Sequence, residues 1–368
     1  MYDGQTVGVV VPAYNEAGHV GEVIETMPSY VDRVYAIDDA SSDGTWTEIR
    51  EHAKRRNERS ATRNGSGGTE DRTRVVPIRH EQNRGAGGAV KTGYARALED
   101  DMDVVAVMDG DGQMDPAHLE RVIEPVAAGE VTYAKGNRLR SSRDYATMSR
   151  WRLFGNMLLT MLTRVSSGYW EVSDPQNGFT AISSEGLRVV RFDRLYDRYG
   201  FLNDLLFALN VNRQPIADVA HPARYGDERS TIRYSTFIPR LSALIARNFL
   251  TRITRSYVIR KFHPLAACYA FGAVVLLTGI AGGGYSLLNA GVNTFTGGMA
   301  SLTVATLGLF LLLFGTWLDV EENEGLVHDL GAPGVDGVDR VETARQDRQL
   351  DVAHDGGTTG DGAEADRR

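Results

Sequence analysis

The sequence predicts an α/β domain built on a mainly parallel sheet, followed by juxtamembrane helices and a two-helix membrane hairpin. Two observations carry this. Three apolar runs of strand length, at 7–11, 34–37 and 104–108, each stop in a polar cluster and pass into helix-like sequence. That alternation is the signature of a parallel sheet covered by helices. Far downstream, no residue between 264 and 318 is charged, a stretch long enough for two spans of ~20 residues each.

The first run ends at Pro12 and releases Tyr14, Asn15 and Glu16 into a loop. Ligands of such sheets bind beyond the carboxyl ends of the strands. In a nucleotide-binding reading, Tyr14 is a candidate to pack on the base. The second run ends in Asp38 and Asp39, followed by Ala-Ser-Ser-Asp-Gly-Thr. Either Asp would accept hydrogen bonds from a base or ribose, although capping and turn chemistry explain each one singly. Residues 55–74 are polar, with Gly-Ser-Gly-Gly at 65–68, and read as a surface loop. The segment 83–93 carries Gly at 85, 87, 88 and 93. Small residues there would admit a nucleotide, with Arg84 or Lys91 near its phosphate; tight helix–sheet packing explains the same glycines.

The third run leads into Asp109-Gly-Asp111-Gly-Gln113. Two carboxylates one residue apart at a strand end can share one hard cation, Mg²⁺ or Mn²⁺, with substrate phosphates. Gln113 would add a carbonyl oxygen. A polar turn rich in Asp and Gly is the plainer alternative. A further strand at 130–134 runs into Lys135 and Arg138. Arg224, Arg229 and Ser230 form another basic cluster.

In order and spacing, the motifs Val-Val-Pro-Ala-Tyr-Asn-Glu16, Ile-Asp-Asp-Ala-Ser-Ser-Asp-Gly-Thr45, Asn83-Arg-Gly-Ala-Gly-Gly-Ala89 and Asp109-Gly-Asp-Gly-Gln-Met-Asp-Pro116 resemble family 2 glycosyltransferases. Lys135-Gly-Asn-Arg138, Ser173-Asp-Pro-Gln-Asn-Gly-Phe179 and Tyr199-Gly-Phe-Leu-Asn-Asp204 resemble the polyprenyl-phosphate branch, typified by dolichyl-phosphate mannose synthases. The likeness covers about residues 6–235. Ala40 stands where the family usually has Gly, and Asp204 where that branch usually has Glu. The resemblance implies a GT-A nucleotide-sugar fold over 1–234. It implies a nucleotide-sugar site at Pro12, Tyr14, Asn15, Glu16, Asp38, Asp39, Arg84, Lys91 and Asp109, and a metal at Asp109, Asp111 and Gln113. It faces Arg138 to the lipid phosphate, with Arg150 or Arg152 as a neighbour. The arginines Arg224 and Arg229, between this domain and the apolar hairpin, are further phosphate candidates, and Asp204 is an orienting carboxylate or a hydroxyl-binding residue for the sugar.

Composition adds a separate constraint. The formal net charge is −8 and the pI about 5.6, which disfavours nucleic acid as a partner. Lys occurs only at 54, 91, 135 and 261, and basic residues are otherwise Arg. An acidic, Lys-poor chain suits high salt, so a halophilic archaeal source is expected, with a high-GC bacterium as the competing source. The single Cys268 excludes an internal disulfide, and no signal peptide is apparent at the N-terminus.

Interfacial helices are expected over 235–263, where Phe, Ile, Leu and Tyr mix with Arg. Spans are expected at about 265–288 and 300–318, with a polar turn at 291–298 and glycines supporting close packing. Arg240, Arg247, Arg252, Arg255, Arg260 and Lys261 flank the hairpin upstream. They place both termini in the cytoplasm. Residues 319–368 read as an acidic, largely disordered tail.

The expected activity is inverting, metal-dependent transfer of a hexose from a UDP- or GDP-sugar to polyprenyl (dolichyl) phosphate at the cell membrane. The product would feed cell-surface or N-linked glycan assembly; a homo-oligomer is left open. Two readings compete. A processive synthase usually carries Gln-x-x-Arg-Trp, but Arg150-Trp151 is preceded by Thr147 where Gln would stand. A silent membrane scaffold is disfavoured by the intact Asp109, Asp111, Gln113 and Arg138.

Overall fold

The computed structural model describes residues 1–64, 74–138, 150–220, 234–289 and 294–330. Eight strands form one sheet in the order β3-β2-β1-β4-β6-β5-β7-β8. They are β1 (Val7–Ala13), β2 (Arg33–Asp38), β3 (Arg74–Arg79), β4 (Val104–Val107), β5 (Tyr133–Asn137), β6 (Thr180–Ser183), β7 (Ile216–Ala220) and β8 (Val327–Leu330). β1 pairs in parallel with β2 and β4, β2 with β3, and β5 with β7; β6 runs antiparallel between β4 and β5. The sheet is thus mainly parallel, as the alternating runs predict. Every residue of β1 is buried, because helices cover both faces and leave no place for an alternating polar side.

The helices of the α/β domain are α1 (Val20–Glu25), α2 (Thr45–Asn64), α3 (Ala86–Glu99), α4 (Leu119–Ala127), α5 (Arg150–Ser167), α6 (Ser184–Val190) and α7 (Phe201–Val211). Tyr35, Tyr94, Val105, Tyr133, Tyr169, Leu205 and Leu209 share one core cluster. Gly93 seats α3 on β1: a Cβ there would fall 2.3 Å from a methyl of Val10.

Two sequence expectations shift. The polar stretch from Arg55 is helical as far as Asn64, not a loop. Arg56 is buried and donates to the carbonyls of Ile24, Glu25 and Met27, closing the end of α1. Residues 65–73 lie outside the described residues. The fifth strand begins at Tyr133 and includes Lys135. The interior accepts Lys135 because its Nζ lies 3.0 Å from Asp218 Oδ1 and donates to the carbonyls of Gly136 and Ser173.

Beyond the sheet run α8 (Tyr234–Arg252), a π-helical segment (Ile253–Arg260), α9 (Pro264–Leu288) and α10 (Thr294–Glu322). Both α9 and α10 are long and apolar enough to cross a membrane, with mean hydropathies of 2.0 and 1.9. Only 17% and 6% of their most apolar windows are buried, unlike the core helix of a soluble protein. Glycines bring the two together: a Cβ on Gly279 would meet the backbone of Ala305, and one on Gly308 the backbone of Leu276, each at 2.3 Å. The turn expected at 291–298 is helical from Thr294 onward. Gly297 instead faces Ser286, whose Oγ is 2.8 Å from where its Cβ would be.

The tail expected from Asp319 does not begin there. α10 continues to Glu322, and β8 then joins the sheet edge, with Ile216 N–H donating to Leu326 O. Asp319 is fully buried against Arg252, at 2.7 and 2.6 Å. Residues 331–368 lie outside the described residues.

Candidate active site

The carboxyl ends of β1 and β4, with segments 83–89 and 196–199, enclose a cavity of about 620 Å³. Pro12, Tyr14, Glu16, Asp39, Asp109 and Asp111 line it, as the strand-end argument predicts. Tyr14 is 48% exposed, open to stacking by a flat ligand. Asn15 does not line the cavity; at φ 59° its carbonyl Oδ1 accepts from Ser42 N–H, tying the first strand-end loop to the second.

Asp109 lies two residues beyond the end of β4, and Gly178 packs against it. A Cβ on Gly178 would lie 2.8 Å from Asp109 Oδ2. Burial, then the charge of Asp111, push the Asp109 carboxyl up to about 7, against the pull of Arg138. Two such carboxylates suit a hard divalent cation, which would relieve their repulsion and displace the proton. Among the described residues, no group of three or more His, Cys, Asp or Glu side chains could hold a metal alone. A cation at Asp109 and Asp111 would therefore complete its shell with donor oxygens and water, as Mg²⁺ commonly does. Gln113 is not in the cavity wall; its backbone N–H donates to Asp111 Oδ1 at 3.0 Å.

Several predicted binding residues instead build the walls. Asp38 is fully buried; it accepts from Ser41 N–H and pairs with Arg79 at 3.0 Å. Asp39 reaches the cavity, but its carboxylate is spent on His80 Nδ1 and on the backbone N–H groups of Arg84 and Gly85. Arg84 lies outside the lining and points its guanidinium towards Thr92. Lys91 holds Leu195 O and Asp197 Oδ1 at 2.8 and 2.6 Å, not a phosphate position. The glycines at 85 and 87 admit the backbone of Tyr196 and Asp197. These two glycines thus pack on a neighbouring segment and not on the sheet, which only Gly93 meets, and Gly85 also lines the cavity.

Arg138 sits behind Asp109. It meets Asp174 in a two-pronged pair, Nε to Oδ2 at 2.8 Å and Nη2 to Oδ1 at 3.2 Å. That pair holds the Asp174 carboxyl below its ordinary range despite burial. Asp218 in turn fixes the 173–178 loop, accepting from Ser173 N–H at 2.8 Å and pairing with Lys135. Asp204 is buried and lies outside the main cavity. It accepts from Tyr196 N–H, Asn248 Nδ2 and Arg247 Nη2 at 2.9, 2.9 and 3.2 Å. It thus positions the 196–199 segment from below.

Sequence reasoning missed Asn83, Tyr196, Arg198, Tyr199 and Arg240 as cavity-lining residues. Tyr199 opens the 199–204 motif and Arg198 precedes it; the Asp-Arg-Tyr triplet before Gly200 is the available signal. In the sequence Arg240 reads only as a membrane-flanking charge. Arg150 and Arg152 open α5. Arg224 and Arg229 lie outside the described residues.

A pocket at the carboxyl ends of parallel strands, floored by paired carboxylates and walled by aromatics and arginines, stands where open α/β sheets present their ligand sites. The model of Glycosyl transferase family 2 matches residues 8–191, half of the chain, and the protein belongs to that family. It is 30% identical over 212 residues to a UDP-N-acetylglucosamine–dolichyl-phosphate N-acetylglucosaminyltransferase of Methanococcus voltae, covering 57% of this chain and 82% of the relative. It is 27% identical over 214 residues to an undecaprenyl-phosphate mannosyltransferase of Micrococcus luteus, covering 54% and 75%. A solved structure of glucosyl-3-phosphoglycerate synthase from Mycobacterium tuberculosis, in complex with Mn²⁺, UDP-glucose and phosphoglyceric acid, aligns at 21% identity. Its TM-score is 0.46, over 68% of this chain and 80% of that one.

Proposed function

We propose that the protein transfers a hexose from a nucleotide sugar to a polyprenyl phosphate at a membrane. One observation carries this reading: the carboxylates Asp109 and Asp111 share a cavity with Arg198 and Arg240, and the helix bearing Arg240 leads towards the apolar hairpin. The names of the archaeal and bacterial relatives support a lipid-phosphate acceptor.

In this reading the base packs near Tyr14, and the donor diphosphate lies over Asp109 and Asp111. A divalent cation held there with the diphosphate would stabilise charge on the departing nucleoside diphosphate. The acceptor brings its own nucleophile, because a phosphate monoester's second ionisation lies at pKa ~6. No side chain must remove a proton at neutral pH. The phosphate oxygen forms a bond to the anomeric carbon as the bond to the leaving diphosphate breaks, inverting that centre. Arg138 contributes positive charge behind Asp109, and Asp174 fixes its direction. Asp204 acts at one remove, by holding the segment that carries Arg198 and Tyr199. The hairpin spans the bilayer, with the α/β domain on the cytoplasmic side.

The test incubates the purified full chain with a panel of UDP- and GDP-sugars and with polyprenyl phosphates, and identifies the lipid product by mass spectrometry. A β-linked polyprenyl-phosphate sugar from an α-linked donor is expected. Glycosylation of a sugar hydroxyl, with polyprenyl phosphate ignored, would overturn the reading.

A further inference from the structure

Beside the main cavity lies a groove of about 330 Å³, bounded by residues 194–198 and α8. Arg194, Arg198, Arg240 and Arg247 line it, with Asp197 and Asp204. Both carboxylates are already engaged. Asp197 takes Lys91 Nζ at 2.6 Å; Asp204 takes Tyr196 N–H, Asn248 and Arg247. Arg198 and Arg240 are exposed, and neither side chain has a hydrogen-bonding or ion-pair partner among the described residues. The groove therefore carries uncompensated positive charge. Convergent guanidiniums repel one another until an anion sits between them, and a phosphate accepts their planar donors in pairs.

The surroundings narrow the ligand. Arg240 and Arg247 are seven residues apart on α8, two turns, and so share one face. The same helix exposes Ile238 and Leu250, at 56% and 63%, and continues through the π-helical segment to α9. An amphipathic helix of this kind lies at a bilayer surface with its arginines among the headgroups. Tyr196, Arg198 and Arg240 line both the groove and the main cavity, so the two adjoin.

We propose that this groove binds the phosphate group of a lipid, at a site separate from Arg138. Two sources share that chemistry: the polyprenyl phosphate of the proposed reaction and the headgroup of an anionic bilayer phospholipid. Identifying the lipid as acceptor rests on the proposed function; affinity for a phosphate does not.

The test measures binding by the full chain in neutral detergent, with farnesyl phosphate and with phosphatidylglycerol as separate probes. The variants are Arg240→Gln with Arg247→Gln, and Arg194→Gln with Arg198→Gln as an independent pair on the opposite wall. Each pair is expected to weaken at least one probe about tenfold or more and to flatten its salt dependence. Arg→Lys at the same positions should restore part of the loss. Loss for farnesyl phosphate alone identifies the acceptor, and loss for phosphatidylglycerol alone identifies the bilayer lipid. Wild-type affinity and salt dependence for both probes, in whichever pair folds, would overturn the proposal. If the wild type binds through the groove yet transfers no sugar, the proposed function falls and the groove stands. If it transfers sugar and the variants bind as wild type, the reverse holds.

Discussion

Asp319→Asn tests how the apolar hairpin is fastened to the α/β domain. Arg252 and Asp319 are both fully buried and meet at 2.7 and 2.6 Å. Arg252 also donates to Val165 O and Ser166 O at the end of α5, at 2.8 and 3.1 Å. Tyr257 OH and Asn323 Nδ2 complete the shell around Asp319. Asn is nearly the same size, so packing survives and the charge alone is lost. Leaving one member of a buried pair unpaired costs about 3–5 kcal/mol. The lower end applies here, because two carbonyls still receive the guanidinium. At roughly 2 °C per kcal/mol for a large chain, the melting temperature should fall by about 6 °C. Intrinsic fluorescence followed on heating in neutral detergent is the assay. Arg252→Met with Asp319→Leu should recover much of the loss, since it leaves no buried charge. An Asp319→Asn protein that melts within about 1 °C of wild type would refute the reasoning.

The remaining predictions concern the site. Asp109→Asn or Asp111→Asn should lower transfer by about two orders of magnitude or more, and full turnover in excess chelator would contradict this. In chelator-treated protein, Asp109 ionises near 7 when folded and near 3.8 when unfolded. The folded state then holds the extra proton between those values, so stability drains away as pH rises through that window. Asp109→Asn should therefore raise the melting temperature at pH 8 and leave it little changed at pH 4. Arg138→Ala removes the charge behind Asp109 and leaves Asp174 without its guanidinium, so turnover at saturating levels of both substrates should fall about 30- to 1,000-fold; near wild-type kcat would contradict this. Ala40 sits at φ 61°, so Ala40→Gly should stabilise by up to about 1 kcal/mol in a denaturant titration; a lower midpoint would contradict it.

The parallel sheet was legible because buried strands read as unbroken apolar runs, and their polar ends mark the ligand side. Asp109 and Asp111 stood out by that logic and line the cavity. Less legible was which polar groups face the ligand and which face one another. Asp38, Asn15, Arg84 and Lys91 look like binding residues in one dimension. In three, they satisfy buried backbone groups and neighbouring charges. Arg198 and Arg240 come from distant segments, and nothing in a linear pattern brings them to one wall. Asp319 misled for a related reason: at the end of an apolar helix it reads as the start of a solvated tail. Only the fold supplies Arg252, 67 positions upstream.

β8 gives the hairpin a particular standing. The chain leaves the sheet after β7, passes through α8, α9 and α10, and returns to lie beside β7. The apolar segment is therefore an insertion within the domain, not an appendage at its end. Re-entry is possible only if the second helix comes back to the side from which the first departed. Where α9 and α10 cross a bilayer, an even number of crossings is thus demanded by completion of the sheet itself. Positive charges that orient the flanks would reinforce that geometry, but closing the last strand pair already requires it.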